Sequence, residues 1–282
     1  MKIKHTTELG SNDSPLLQLL IVSEENQDQA VAFLNPGYST SQPNDNLSEK
    51  GKQRLFANGA VTLITVGIGS PKNEHEAVRR AVATAVNHAN DFEYKKLQVV
   101  YLQGKTSEKN QSYTAMAEAA VLANYQFLPY KSEPQANSLE EVEIYSGQTG
   151  DAAHVEKGAR IARATSIARD LVNEPVITLT AREMANRCEA FGKELGFSVE
   201  VFDKARIQAL KMGGLLAVNS GSIDPPTFTI MEWKPEGARN DAPVILVGKG
   251  VVYDTGGLSL KPTPNSMDKM KADMGGAAAV IG

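Results

Sequence analysis

The feature that most restricts the fold is a regular alternation in the first half of the chain. Short apolar runs are separated by segments whose apolar residues recur at helical spacing. "LLQLLIVS" (Leu16–Ser23) and "AVTLITVGIG" (Ala60–Gly69) read as buried strands, as do "LQVVYL" (Leu97–Leu102) and "EVEIYS" (Glu141–Ser146). Between them, "NEHEAVRRAVATAVNHAN" (Asn73–Asn90) places Ala77, Val78, Ala81, Val82 and Ala85 on one helical face, and Asn110–Phe127 reads as a second helix. Strands alternating with helices imply an α/β layered domain.

The polar stretch Ser146–Ala153 marks a boundary. A long helical run from about Ala153 to Val172 follows it and ends ahead of Pro175, because the residue before a proline avoids helical geometry. Beyond it, Thr180 and Glu183 have the spacing of a reciprocal capping box. "SVEVFD" reads as a strand, "KARIQALKMG" as a helix, and "TFTIMEWKP" and "PVILVGKG" as two further strands. The expected architecture is two α/β layered domains joined by a helix, divided as 1–150 and 151–282.

Composition narrows the function classes. The apolar fraction of 41% and charged fraction of 22% are those of an ordinary globular protein. A net charge of −4 gives no basic footprint for nucleic acid or an anionic membrane. The first apolar run contains Gln18 and is too short to span a bilayer, so a cytoplasmic location with no membrane partner is expected. The single cysteine, Cys188, excludes an intrachain disulfide and reads as a small packing residue.

Chemistry concentrates after the last apolar run. In "VGKGVVYDTGGLSLKP" (Val247–Pro262), Val244–Gly248 reads as a buried parallel strand, and ligand sites in open α/β sheets lie beyond the carboxyl ends of such strands. Lys249, Asp254 and Lys261 follow at that edge, with Gly256-Gly257 permitting tight turns. Asp268 and Asp273 come next. Carboxylates converging with a lysine suit a divalent metal. Three other readings stand beside it. The glycines could cradle phosphate, although G-x-x-x-x-G-K-[ST] is absent. Lys249 and Asp254 could be a surface ion pair of ~0–1 kcal/mol. Asp268, Lys269 and Lys271 could be a solvated face, with Met267, Met270 and Met274 spaced as core residues.

The wording of these segments resembles the leucine aminopeptidase family of two-metal exopeptidases. The resemblance rests on Val247–Pro262 and on "MDKMKADMGGAAAVIG" (Met267–Gly282). It extends to "ARDLVNEP" (Ala168–Pro175) and "MGGLLAVNSGSIDPP" (Met212–Pro226), and more loosely to "AVLANYQFLPYKSE" (Ala120–Glu133). It implies two divalent ions per subunit, Mn or Zn with Mg as a further option. Lys249 and Asp273 would ligate one ion, Asp254 would bridge both, and Lys261 would be the catalytic lysine that polarises the scissile carbonyl. Met270 would line the pocket for the first substrate side chain. The implied activity is release of N-terminal residues, with a leucine-type preference, from peptide substrates by a homo-hexamer. His5, His75, His88 and His154 have no place in such a site.

Two departures qualify the resemblance. The Lys261-to-Asp273 interval is one residue longer than the family pattern around "TPNS", where a loop bulge is expected. The family's second signature, Asn-Thr-Asp-Ala-Glu-Gly-Arg, does not occur in these 282 residues. It would supply a further aspartate ligand, a bridging glutamate and a catalytic arginine. The second domain is therefore expected to be an incomplete catalytic domain, inactive as it stands. The alternative is DNA binding, or a regulatory or assembly role, for the first domain, with Arg79-Arg80 and Lys95-Lys96 as its short basic pairs.

Overall fold

The computed structural model describes residues 1–10, 15–34, 46–102, 109–146 and 151–282. It divides into two compact units, Met1–Ala164 and Thr165–Gly282. The division falls inside the long helix, rather than ahead of it at the polar stretch.

The first unit is built on a six-stranded sheet. Its strands are β1 (Lys2–Thr6), β2 (Leu16–Ser23), β3 (Gln53–Asn58), β4 (Val61–Gly69), β5 (Lys96–Tyr101) and β6 (Glu141–Tyr145). Their spatial order is β1-β6-β5-β2-β4-β3, and every pairing is parallel except β3 with β4. β2 lies between β5 and β4, and all eight of its residues are buried. This burial explains a continuous apolar run in place of alternation. Gln18 is tolerated there because its amide donates to Gln98 Oε1 on β5 at 2.8 Å.

The helices are α1 (Gln27–Leu34), α2 (Glu74–Asp91), α3 (Lys109–Ala123) and α4 (Ala152–Asn173). α2 buries Val78, Ala81, Val82, Ala85, Val86 and Ala89, the face that its periodicity marks out. With β2, β4, β5 and β6 this face forms the main core. α3 stops at Ala123, short of the Phe127 expected from the apolar pattern.

The second unit holds α5 (Ala181–Leu195), β7 (Ser198–Phe202), α6 (Lys204–Ala209), α7 (Gly213–Asn219), β8 (Phe228–Glu232) and α8 (Gly275–Ile281). β7 and β8 form a two-stranded antiparallel sheet. Thr180 caps α5 by accepting from the Glu183 N–H at 3.2 Å, and Gly196, in the left-handed conformation that favours glycine, closes it. The reciprocal half of the expected capping box does not form. Glu183 turns to Arg187 one turn on, at 3.2 Å. α6 ends at Ala209, ahead of the Gly213 read from the pattern.

One expectation fails outright. Residues Val244–Gly248 form no strand, and Val244, Ile245, Leu246 and Val247 are 81%, 76%, 70% and 89% exposed. A strand exists only by pairing laterally, and among the described residues none pairs with this run. This unit buries a small cluster of Leu171, Leu179, Met274 and Ala278, flanked by Ile167, Val172, Met184 and Val252, and separately buries Ala185, Cys188, Phe202 and Ile207.

Candidate metal centre

The site segment is held against the start of α8 by close backbone approach. The Ala277 N–H donates to the Lys249 carbonyl at 2.9 Å. A Cβ on Gly248 would lie 2.6 Å from both Ala277 Cα and the Gly276 oxygen. Only glycine fits there, and this contact fixes where Lys249 leaves the backbone.

Two ion pairs follow from this placement. Lys249 Nζ lies 2.6 Å from Asp273 Oδ2, and Lys261 Nζ lies 3.1 Å from Asp254 Oδ2. The turn after Asp254 orients the second pair. Gly256 and Gly257 both have positive φ, at 89° and 72°. In this conformation the Gly256 N–H donates to Asp254 Oδ1 at 2.9 Å, and the Lys261 N–H donates to the Thr255 carbonyl at 2.9 Å. The Gly256 N–H, assisted by the Lys261 ammonium and more weakly by Lys249, holds the Asp254 carboxyl below the usual aspartate range. Asp254 therefore feels both lysines, Lys261 more strongly than Lys249.

Asp273 is the more sheltered carboxylate, with its side chain 18% exposed. Its Oδ2 is buried and accepts no hydrogen bond. The Lys249 ammonium satisfies the distance of an ion pair but not the angles of a hydrogen bond, so the pairing is electrostatic. A buried carboxylate oxygen without a donor is costly unless a cation takes it. Together with the Lys249 amine and Asp254, this donor set suits a hard divalent ion. Among the described residues no three His, Cys, Asp or Glu side chains converge, so a metal here would need the Lys249 amine beside the carboxylates.

Met274 is fully buried, as its helical spacing suggests. Met270 is only partly buried, and its carbonyl accepts the Asp273 N–H at 3.2 Å. The interval around Thr263–Ser266 is a turn with a cis Thr263-Pro264 peptide and Asn265 at φ 69°. Lys271 is half-buried and bonded to the protein, not merely part of a solvated face. Its Nζ donates to the carbonyls of Val172 and Asn173, at 2.8 and 3.0 Å. Nothing in the local sequence signals this contact, because its partners lie some hundred positions earlier. The four histidines all fall within the first unit.

The basic pairs proposed for nucleic acid are neutralised locally. Arg79 pairs with Glu118 at 2.8 Å and Arg80 with Glu76 at 2.9 Å. Lys95 pairs with Glu140 at 3.1 Å and Lys96 with Glu143 at 2.7 Å. Among the described residues no helix is long and apolar enough to cross a membrane.

Comparison with known proteins identifies related sequences and folds. Residues 166–282 match the catalytic-domain model of the cytosol aminopeptidase family, and residues 47–134 match its N-terminal-domain model. A probable cytosol aminopeptidase of Chlorobaculum tepidum is 35% identical across 96% of this chain and 58% of its own length. The structure of the bottromycin maturation enzyme BotP in complex with Mn superposes with a TM-score of 0.74 at 29% identity, over 94% of this chain and 54% of that one. A tomato leucine aminopeptidase mutant shares the fold, with a TM-score of 0.80 at 22% identity over 100% of this chain and 58% of that one. The chain spans about half the length of the curated relatives it matches.

Proposed function

The chain belongs to the cytosol aminopeptidase family, and from that premise we propose that it carries the first half of the metal site of a metal-dependent aminopeptidase. The observation that supports this reading most directly is the pairing of Lys249 with Asp273 and of Lys261 with Asp254. Each lysine implied by the resemblance faces one of the two implied carboxylates.

Lys249 and Asp273 would hold one divalent ion and Asp254 would bridge to a second, with Mn favoured over Zn or Mg by the Mn-bound structural relative. Bound ions supply a Lewis acid and a nucleophilic water at neutral pH. The chain's own residues then have distinct tasks. Asp254, oriented by the Gly256 N–H, keeps its charge and stays available as a bridge. Lys261, which lies beside Asp254 at 3.1 Å, would donate to a substrate carbonyl, where a preorganised donor stabilises developing negative charge. Met270, partly open, would contact the first side chain of a peptide with leucine-type preference. Peptides as substrates, a cytoplasmic location and assembly into a hexamer complete the proposal.

The test separates metal binding from turnover. Mn2+ binding to this chain should be weakened by Asp254→Asn. In a polypeptide extended through the family's second signature, leucine-anilide turnover should be metal-dependent. There, Lys261→Ala should lower kcat on the order of 10²–10³-fold while metal content is retained. A Lys261→Ala protein that lost its metal, yet turned over normally once metal was resupplied, would reverse the roles of Lys249 and Lys261.

A further inference from the structure

The short 3-10 turn Met267–Ala272 leads directly into Asp273, and it is anchored at two places. Beyond Asp273, Met274 is buried in the cluster with Leu171 and Leu179. Before it, Lys271 reaches the end of α4 and donates to the carbonyls of Val172 and Asn173. These are the last two residues of a 22-residue helix. The final carbonyls of a helix have no donor within the helix, and the aligned peptide dipoles leave that end partially negative. A lysine ammonium is suited to both conditions.

The geometry has a mechanical consequence. One anchor at Met274 would leave the turn free to pivot about that side chain. The second anchor, on the same stretch of α4, removes that freedom. Asp273 lies between the two, and its Oδ2 is the buried oxygen that faces Lys249 at 2.6 Å. We propose that Lys271 is a positioning residue: through its two bonds to the end of α4 it fixes the orientation in which Asp273 is presented to Lys249 and to a divalent ion. The part that concerns the ion rests on the metal-site reading above; the part that concerns the orientation of Asp273 does not. Lys271 itself touches no reacting atom.

The test uses the 282-residue chain with Lys271→Met and Lys271→Arg, and two readouts. One is Mn2+ affinity by electron paramagnetic resonance; the other is amide hydrogen exchange resolved along the second unit. Lys271→Met should weaken Mn2+ binding by about tenfold or more, as loss of an orienting partner does. It should also speed exchange at residues 271–274, while α5 keeps its protection. Lys271→Arg, which can still donate to two carbonyls, should restore both. Unchanged exchange at 271–274 in Lys271→Met overturns the proposal. So does a loss of protection spread evenly over the second unit, because the role would then be general stability. If the unsubstituted chain binds no Mn2+, the metal-site reading fails by itself, and the exchange pattern alone decides the role of Lys271.

Discussion

Lys249 and Asp273 meet at 2.6 Å although they leave the backbone from different elements, one from an extended segment and the other from the approach to α8. The contact depends on the Lys249 carbonyl accepting the Ala277 N–H, which brings the two segments side by side. Asp273→Asn keeps the shape of this pair and removes the anionic charge. Mn2+ affinity should fall at least about tenfold with the melting temperature nearly unchanged. An isothermal titration with equal affinities for the two proteins would remove Asp273 from the ligand set.

The same juxtaposition makes Gly248 intolerant of a side chain. A Cβ there meets backbone atoms at 2.6 Å, which cannot rotate away as a side chain can. Gly248→Ala should destabilise the second unit by about 1–3 kcal/mol through overpacking. Gly213, at the start of α7, has open space around it. Gly213→Ala should cost nothing and serves as the control. Urea denaturation of the two variants distinguishes them; equal midpoints would mean that α8 does not pack on Gly248.

His88 near the carboxyl end of α2 gives the first unit a pH dependence. Its ring lies 4.4 Å from that of Phe92, and burial pushes its pKa below the ordinary value, with Asp91 opposing. The folded state thus binds the proton more weakly than the unfolded chain. Its contribution to stability is complete above about pH 6.5 and is lost as pH falls through the lowered folded value. Replacing His88 by Gln should flatten the slope of stability against pH below about 6.5. If the slope persists, other groups carry it.

Nucleic-acid binding should be absent at physiological ionic strength. Arg79, Arg80, Lys95 and Lys96 each face a glutamate within 3.1 Å. A phosphate would have to displace these partners on a chain that is already net acidic. Electrophoretic shift of a short duplex at about 0.15 M salt should show no complex. A shift whose log affinity fell linearly with log salt would restore DNA binding as a function of the first unit.

Local pattern carried much of the first unit. β2, β4 and β5 are apolar runs because they are buried on both faces, and α2 has its core face spelled out at helical spacing, so periodicity alone located them. β1 and β3 were not legible. Both are edge strands, and edge positions do not impose a continuous apolar pattern on their residues. The candidate residues Lys249, Asp254 and Lys261 stood out as a group because they sit within one short segment, while their separate roles came from the family resemblance.

What the sequence by itself determined, then, was the elements whose burial is periodic, together with the short segment in which lysines and carboxylates gather. The tertiary structure decided everything that depends on a distant partner. Val244–Gly248 has the composition of a strand, but composition provides no neighbouring strand to bond with. Glu183 has the spacing to reach back to Thr180, yet the opposite charge of Arg187 one turn away takes it. Lys271 reads as one more charge on a solvated turn, and only the fold brings the last carbonyls of α4 within 3.0 Å of it. Burial and helical period are properties of nearby residues. Lateral pairing, ion-pair choice and helix capping by a remote lysine are competitions among groups that only folding brings into reach.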